Sequence, residues 1–156
     1  MEKRMIYSLS FAPKIVERLL RVFPTDRLDE RIMADRFTAR EVIAHLAEYE
    51  QVVLDRIRAA NASPGREVPA YDPDQAAEAH HYADKDVFHE AEVFESRRDM
   101  TTEYLEGLAD ADWDKTFKVN GSETSIKDYM AKIMAHDLEH MHQLSLYLAT
   151  EVATIH

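Results

Sequence analysis

Apolar residues recur at three- and four-residue intervals in four separate stretches of this chain, the spacing that lines one face of an α-helix. In residues 5–22 the stripe is Leu9, Ile15, Val16, Leu19, Leu20 and Val22. Pro13 sits either in the first turn of a helix capped by Ser10 or at a kink in a longer one. Phe23-Pro24 ends the segment, because a residue before proline avoids the α region. The second stretch, about 38–60, opens on Thr38-Ala39-Arg40-Glu41, a capping box in which the Thr and Glu side chains satisfy each other's backbone N–H groups. On its helical wheel His45 lies at the edge of an arc filled by Val42, Leu46, Tyr49, Val52, Val53 and Ile57. The third, about 86–108, carries Val87, Phe88, Ala91, Phe94, Met100, Tyr104, Leu105 and Leu108 on a less regular buried side. The fourth runs from a cap at Thr124 or Ser125 to about Thr150. Its apolar arc, about 140° wide, holds Ile126, Tyr129, Met130, Ile133, Met134, Met141, Leu144, Tyr147 and Leu148. Four such helices in one chain predict an all-α protein, a four-helix bundle forming a single domain over residues 1–156.

The connections carry less pattern. Residues 24–37 are charged, with scattered apolar positions. Residues 61–85 are broken by Pro64-Gly65, Pro69 and Asp72-Pro73, and hold Tyr71, His80, His81 and Tyr82. A connection that long in a compact domain is mobile or functional, and this one could cover an opening in the core. Phe117-Lys118-Val119 ahead of Asn120-Gly121 suggests a short extended piece that turns.

Composition narrows the function classes. With 30 acidic and 19 basic residues the net charge is −11, which repels a phosphate backbone, so no nucleic-acid partner is expected. Arg97-Arg98 and the arginines between Arg31 and Arg40 are interleaved with acids and read as solvated helix faces. The absence of cysteine excludes disulfides, thiolate zinc sites and a cysteine nucleophile. No signal peptide is apparent, and no window approaches the roughly 18 apolar residues of a membrane span, so no membrane partner and a cytoplasmic protein are expected.

Candidate chemistry lies in the histidines. His136 and His140 are one turn apart on the fourth helix, His140 inside the apolar arc and His136 at its edge, with Gln143 just beyond. His142 faces away, His89 lies among acids, His156 is terminal, and His80 and His81 sit in the irregular connection; these read as surface residues. Two imidazoles on one buried edge each bring a donor and an acceptor that need partners. A divalent metal would use both acceptors, and His45, at the matching edge of the second helix, would supply a third. The alternative is three hydrogen-bonded core-edge histidines. Three neutral imidazoles suit Zn, Ni, Fe or Cu, and three protein ligands leave a position open, as in catalytic zinc sites. Glu48, one turn from His45, is the candidate general base, with Asp137 and Gln143 as candidates to orient ligands. A di-iron arrangement built on Glu78-Ala79-His80-His81 and Glu139-His140-Met141-His142 is disfavoured, because Glu139 and His142 point away from the apolar arc.

Three stretches together resemble the DinB-like (DinB/YfiT) superfamily of metal-dependent four-helix proteins. They are Phe37-Thr38-Ala39-Arg40-Glu41-Val42-Ile43-Ala44-His45-Leu46, the lead-in from Gly121 to Asp128, and His136-Asp137-Leu138-Glu139-His140-Met141-His142-Gln143-Leu144. The resemblance spans nearly the whole chain and implies that His45, His136 and His140 form a metal triad, the set the helical wheels also single out. Phe37 departs from the Trp many relatives carry there, and His142 from a small or apolar residue. The family includes thiol-dependent transferases and isomerases that use low-molecular-weight thiols, and amide hydrolases. The resemblance therefore implies a divalent metal, Zn or Ni, a small-molecule substrate, a possible low-molecular-weight thiol and a homodimer. The expected function is metal-dependent hydrolysis or thiol transfer; the alternative is a non-catalytic helical binding module of the same fold.

Overall fold

The structure, a computed structural model, describes residues 2–150. Its bundle is built from α1 (Glu2–Leu9) and α2 (Ala12–Val22), which together form one arm, and from α3 (Ala39–Ala62), α5 (Val87–Glu106) and α6 (Ile126–Ala149). A short α4 (Pro73–Ala79) lies in the connection between α3 and α5. α3 packs on α5 and α6, and both α1 and α2 rest against α5 and α6. Among the described residues no helix is long and apolar enough to cross a membrane.

The first arm is broken at Ser10-Phe11 because Pro13 occupies the first turn of α2. A proline ring clashes with the carbonyl four residues back, here Leu9, and cannot donate to it. Ser10 does not cap α2; its Oγ donates back to the Tyr7 carbonyl at 2.6 Å. At α3 the capping box forms as the sequence predicts: Glu41 N donates to Thr38 Oγ1 and Thr38 N to Glu41 Oε1, both at 3.2 Å. Ser125, rather than Thr124, caps α6 by accepting from Asp128 N.

Thr124 instead belongs to a strand. β2 (Thr116–Val119) and β3 (Ser122–Ser125) form a hairpin, and β1 (Arg66–Glu67) adds to β2 in parallel, with Arg66 opposite Phe117. The two-residue loop Asn120-Gly121 has both φ angles positive, 50° and 78°, as the tight primed turn requires.

The core is divided. One apolar cluster gathers α2 with the N-terminal halves of α3 and α5 and the C-terminal end of α6; the other gathers α1, the C-terminal half of α3, Leu105, the N-terminal half of α6 and the hairpin. Between them the helices contribute polar side chains at one level: Glu50, Arg98 and Asp137, all buried. Arg98 is 1% exposed, which corrects the reading of Arg97-Arg98 as a solvated face. Its guanidinium donates to both oxygens of Glu50 and both of Asp137, at 2.8–3.1 Å. It also donates to Leu9 O at 2.8 Å, the carbonyl that Pro13 leaves without a helical partner. Arg97 donates to Ala47 O. Arg98 and Thr101 on the buried face explain why the α5 pattern is irregular: Phe88 and Met100, expected inside, are 54% and 44% exposed.

Candidate metal centre

His45 is carried by α3, and His136 and His140 by α6, where His136 is the sequence neighbour of Asp137 in the buried belt. His136 Nε2 lies 3.1 Å from His45 Nε2 and 3.1 Å from His140 Nε2. Ligating nitrogens of the three residues all fall within 4.8 Å of one another. At metal–nitrogen distances of about 2.0–2.1 Å, two imidazoles on one ion stand roughly 3–3.5 Å apart, so the donor set fits a single ion. Burial, with the neighbouring histidines His140 and His136, pushes His45 down to about 3. Burial, then His140 and the Arg98 guanidinium, pushes His136 down to about 3 as well. Burial also lowers His140. All three are neutral at pH 7, the form that offers a lone pair.

The hydrogen-bond chain behind His140 fixes where its lone pair points. The Phe37 carbonyl can only accept, so Tyr147 must donate its O–H to it, at 2.8 Å. The Tyr147 oxygen therefore accepts from Gln143 Nε2 at 2.8 Å, which orients the amide with Oε1 towards His140. Gln143 Oε1 accepts from His140 Nδ1 at 2.9 Å. The ring proton is thus on Nδ1, and Nε2 faces the other histidines bare. Gln143 takes the orienting role the sequence suggests for it. The Asp137 carboxylate is hydrogen-bonded to Arg98 rather than to a histidine. His45 Nδ1 pairs with Tyr71 OH at 3.1 Å, and Tyr71 OH with Tyr82 OH at 2.9 Å. The irregular 61–85 connection therefore does reach the site, through two tyrosines that no periodicity distinguishes.

Glu48, the candidate base, pairs with His80 Nδ1 at the end of α4, and its Oε2 is buried without a hydrogen-bond partner. Among the described residues none of the histidines the sequence set aside joins the triad's cluster; His156 is outside the described residues. Beside the triad opens a cavity of about 510 Å³ whose wall includes Arg36, Phe37, Tyr49, Tyr71, Asp74 and Gln143.

A helical bundle with three converging, neutral imidazoles at the wall of a cavity defines a class: four-helix proteins able to hold one metal ion from two helices. The sequence profile of the DinB superfamily matches residues 8–144, and the chain belongs to that superfamily. The structure is similar to that of YfiT from Bacillus subtilis, described as a probable metal-dependent hydrolase with an unusual four-helix bundle topology. The TM-score is 0.89 at 16% identity, over 94% of this chain and 85% of that chain. It is also similar to YjoA, a DinB-like protein of Bacillus subtilis, with a TM-score of 0.66 at 16% identity over 95% and 94% of the two chains. At that identity the likeness establishes the fold. No curated protein matches the sequence.

Proposed function

We propose that the protein is a metal-dependent hydrolase of small molecules, with His45, His136 and His140 holding one divalent ion, Zn or Ni. The observation that carries this reading is the bare Nε2 of His140 turned towards two other ring nitrogens at the wall of a cavity. When bound, a divalent metal there supplies Lewis acidity: it polarises a carbonyl and lowers the pKa of a water or thiol that shares it. The Gln143–Tyr147–Phe37 chain holds His140 in its ligating tautomer, and Tyr71 pairs with the outer ring nitrogen of His45. Glu48 has the proposed base role, taking the proton of the attacking water and returning it to the leaving group, which requires its carboxylate, paired with His80 and outside the cavity lining, to turn towards the cavity. Its Oε2 is unpartnered, and after burial its charge is the largest influence holding the Tyr71 phenol above its ordinary range. A low-molecular-weight thiol in place of water would make the same site a transferase.

The test uses untagged protein, because nickel resin can load such a site artificially. Elemental analysis should give one Zn or Ni per chain, and His136→Ala should lose it while the helical circular dichroism stays. Hydrolysis of a panel of small amides and esters should then depend on the metal, and Glu48→Gln should lower kcat with metal occupancy kept. Full metal content in His136→Ala overturns the ligand assignment. Activity that appears only with added thiols moves the reading to transfer.

A further inference from the structure

Among the described residues two guanidinium groups are buried, in different surroundings. Arg98 meets two carboxylates and a carbonyl. Arg56, on α3 and only 8% exposed, meets no carboxylate among the described residues. Its Nη1 donates weakly to Tyr49 OH at 3.4 Å and Tyr129 OH at 3.3 Å, and its Nη2 to Pro69 O at 3.2 Å. Its Nε is buried and makes no hydrogen bond. Tyr49, Phe117 and Tyr129 surround the guanidinium with ring centroids 5.7–6.0 Å away. Rings and a carbonyl offset part of the cost of a desolvated cation, but none of them carries the opposite charge.

The surroundings say where that charge comes from. Arg56 lines a cavity of about 400 Å³ that includes Lys132, Thr124, Tyr129, Tyr49 and His136. Among the described residues no acidic one lines it, in a chain of net charge −11; a second cavity that Arg56 borders, of about 340 Å³, carries Asp55 and Glu67 but none of the three histidines. His136 is a member of the triad, and Tyr49 packs on both His45 and His136, with ring centroids 5.7 and 5.1 Å away. One small molecule in this cavity can thus face His136 at one end and Arg56 at the other. We infer that Arg56 is the receptor for a carboxylate on the substrate, with Lys132 at the same cavity wall, so that the far end of an anionic small molecule lies at His136, the triad member on that wall. This deepens the hydrolase reading and rests on it for the word substrate; the anion site itself stands on Arg56. A planar guanidinium that has protons to spare matches a carboxylate better than a point charge does.

Acetate is the probe, titrated against chloride at constant ionic strength, with inorganic phosphate as a second oxyanion. Thermal melting is followed in wild type, Arg56→Met and Arg56→Lys, each metal-loaded and metal-free. Acetate should raise the wild-type Tm in both forms, the metal-free arm excluding acetate held by the metal alone. Its apparent affinity should fall by at least about tenfold in Arg56→Met, the loss expected for a charge-assisted hydrogen bond to a desolvated anion. Arg56→Lys should show an intermediate loss. Metal content should be unchanged in both variants. The phenols of Tyr49 and Tyr129 provide a second readout: acetate should perturb tyrosine absorbance in wild type and, if Arg56→Met does not fold, less in Arg56→Lys. A wild type whose Tm and tyrosine absorbance ignore acetate overturns the proposal, as does an acetate response that survives intact in Arg56→Met. A response to phosphate without one to acetate overturns the carboxylate assignment. Loss of metal binding or of hydrolysis, with the acetate response intact, would count against the hydrolase reading alone.

Discussion

Replacing Arg98 by Ala tests the buried belt. The substitution removes five hydrogen bonds of 2.8–3.1 Å and leaves the carboxylates of Glu50 and Asp137 in the interior, at 2% and 5% exposure, without their cation. Stranding one side of a buried ion pair costs about 3–5 kcal/mol. For a chain of this length each kcal/mol moves Tm by roughly 2–4 °C, so the melting point should fall by about 6–20 °C. Urea denaturation followed by circular dichroism gives the free energy, with an unchanged m-value showing that the folded state stays compact. The partner experiment replaces all three residues together, Arg98→Met with Glu50→Leu and Asp137→Leu. Because the burial cost of the charges disappears along with their attraction, that variant should be close to wild type in stability. Its metal affinity should nonetheless change, since Asp137 adjoins His136 on α6. A loss below about 1 kcal/mol in Arg98→Ala, the range of a solvent-exposed pair, would refute the claim that the belt is desolvated.

Other outcomes are accessible with the same protein. In the metal-free form His45 and His136 are held down to about 3 by burial against an ordinary 6.5, so the unfolded chain binds more protons below pH 6.5. Stability should therefore fall as the pH drops below 6.5, by about 1.4 kcal/mol per pH unit for each such histidine. Urea titrations of chelator-treated protein between pH 7.5 and 5 measure this; a flat profile contradicts neutral buried imidazoles. Gln143→Leu frees His140 to adopt the wrong tautomer and should weaken metal binding about 10–100-fold in competition with a chromophoric chelator, with the helical signal unchanged. Gly121→Ala should cost about 1–2 kcal/mol by urea denaturation: φ is 78° and no atom lies near the added Cβ, so the penalty is conformational rather than a clash.

The bundle was legible because helix periodicity is a repeated signal: each of the four long spans offers several apolar positions, and errors at one do not move the rest. The grouping of His45, His136 and His140 was legible for the same reason, His45 and His136 lying at an apolar edge and His140 inside the arc. The belt was not. Arg98, Glu50 and Asp137 are charged, and periodicity assigns charged residues to solvent; only their mutual pairing makes the interior tolerable, and pairing across helices leaves no trace along one helix. The break of the first arm was half legible, since Pro13 announces it but the destination of the freed Leu9 carbonyl depends on α5. β1 is two residues long and has no pattern to read. Tyr71 and Tyr82 were visible as aromatic residues in a broken segment, but their meeting with His45 depends on how that segment lies over α3.

That segment is pinned at both ends, and between them is held by single contacts of Pro69 with Arg56, Tyr71 with His45 and His80 with Glu48. Val68 N donates to the Lys118 carbonyl of the hairpin, and the Tyr82 side chain is buried. Between them most residues are exposed and α4 buries nothing. Such a span can bow outwards while its ends stay docked, breaking few bonds and exposing little apolar surface. Amide hydrogens between Ala70 and Ala79 should then exchange by small local openings whose rate is nearly independent of added urea, whereas those of α3 and α6 should exchange only through larger unfolding. Tyr71 travels with the span, so each opening breaks its bond to His45. Each such opening thereby releases one of the three histidines from its partner, and the bundle itself does not have to move.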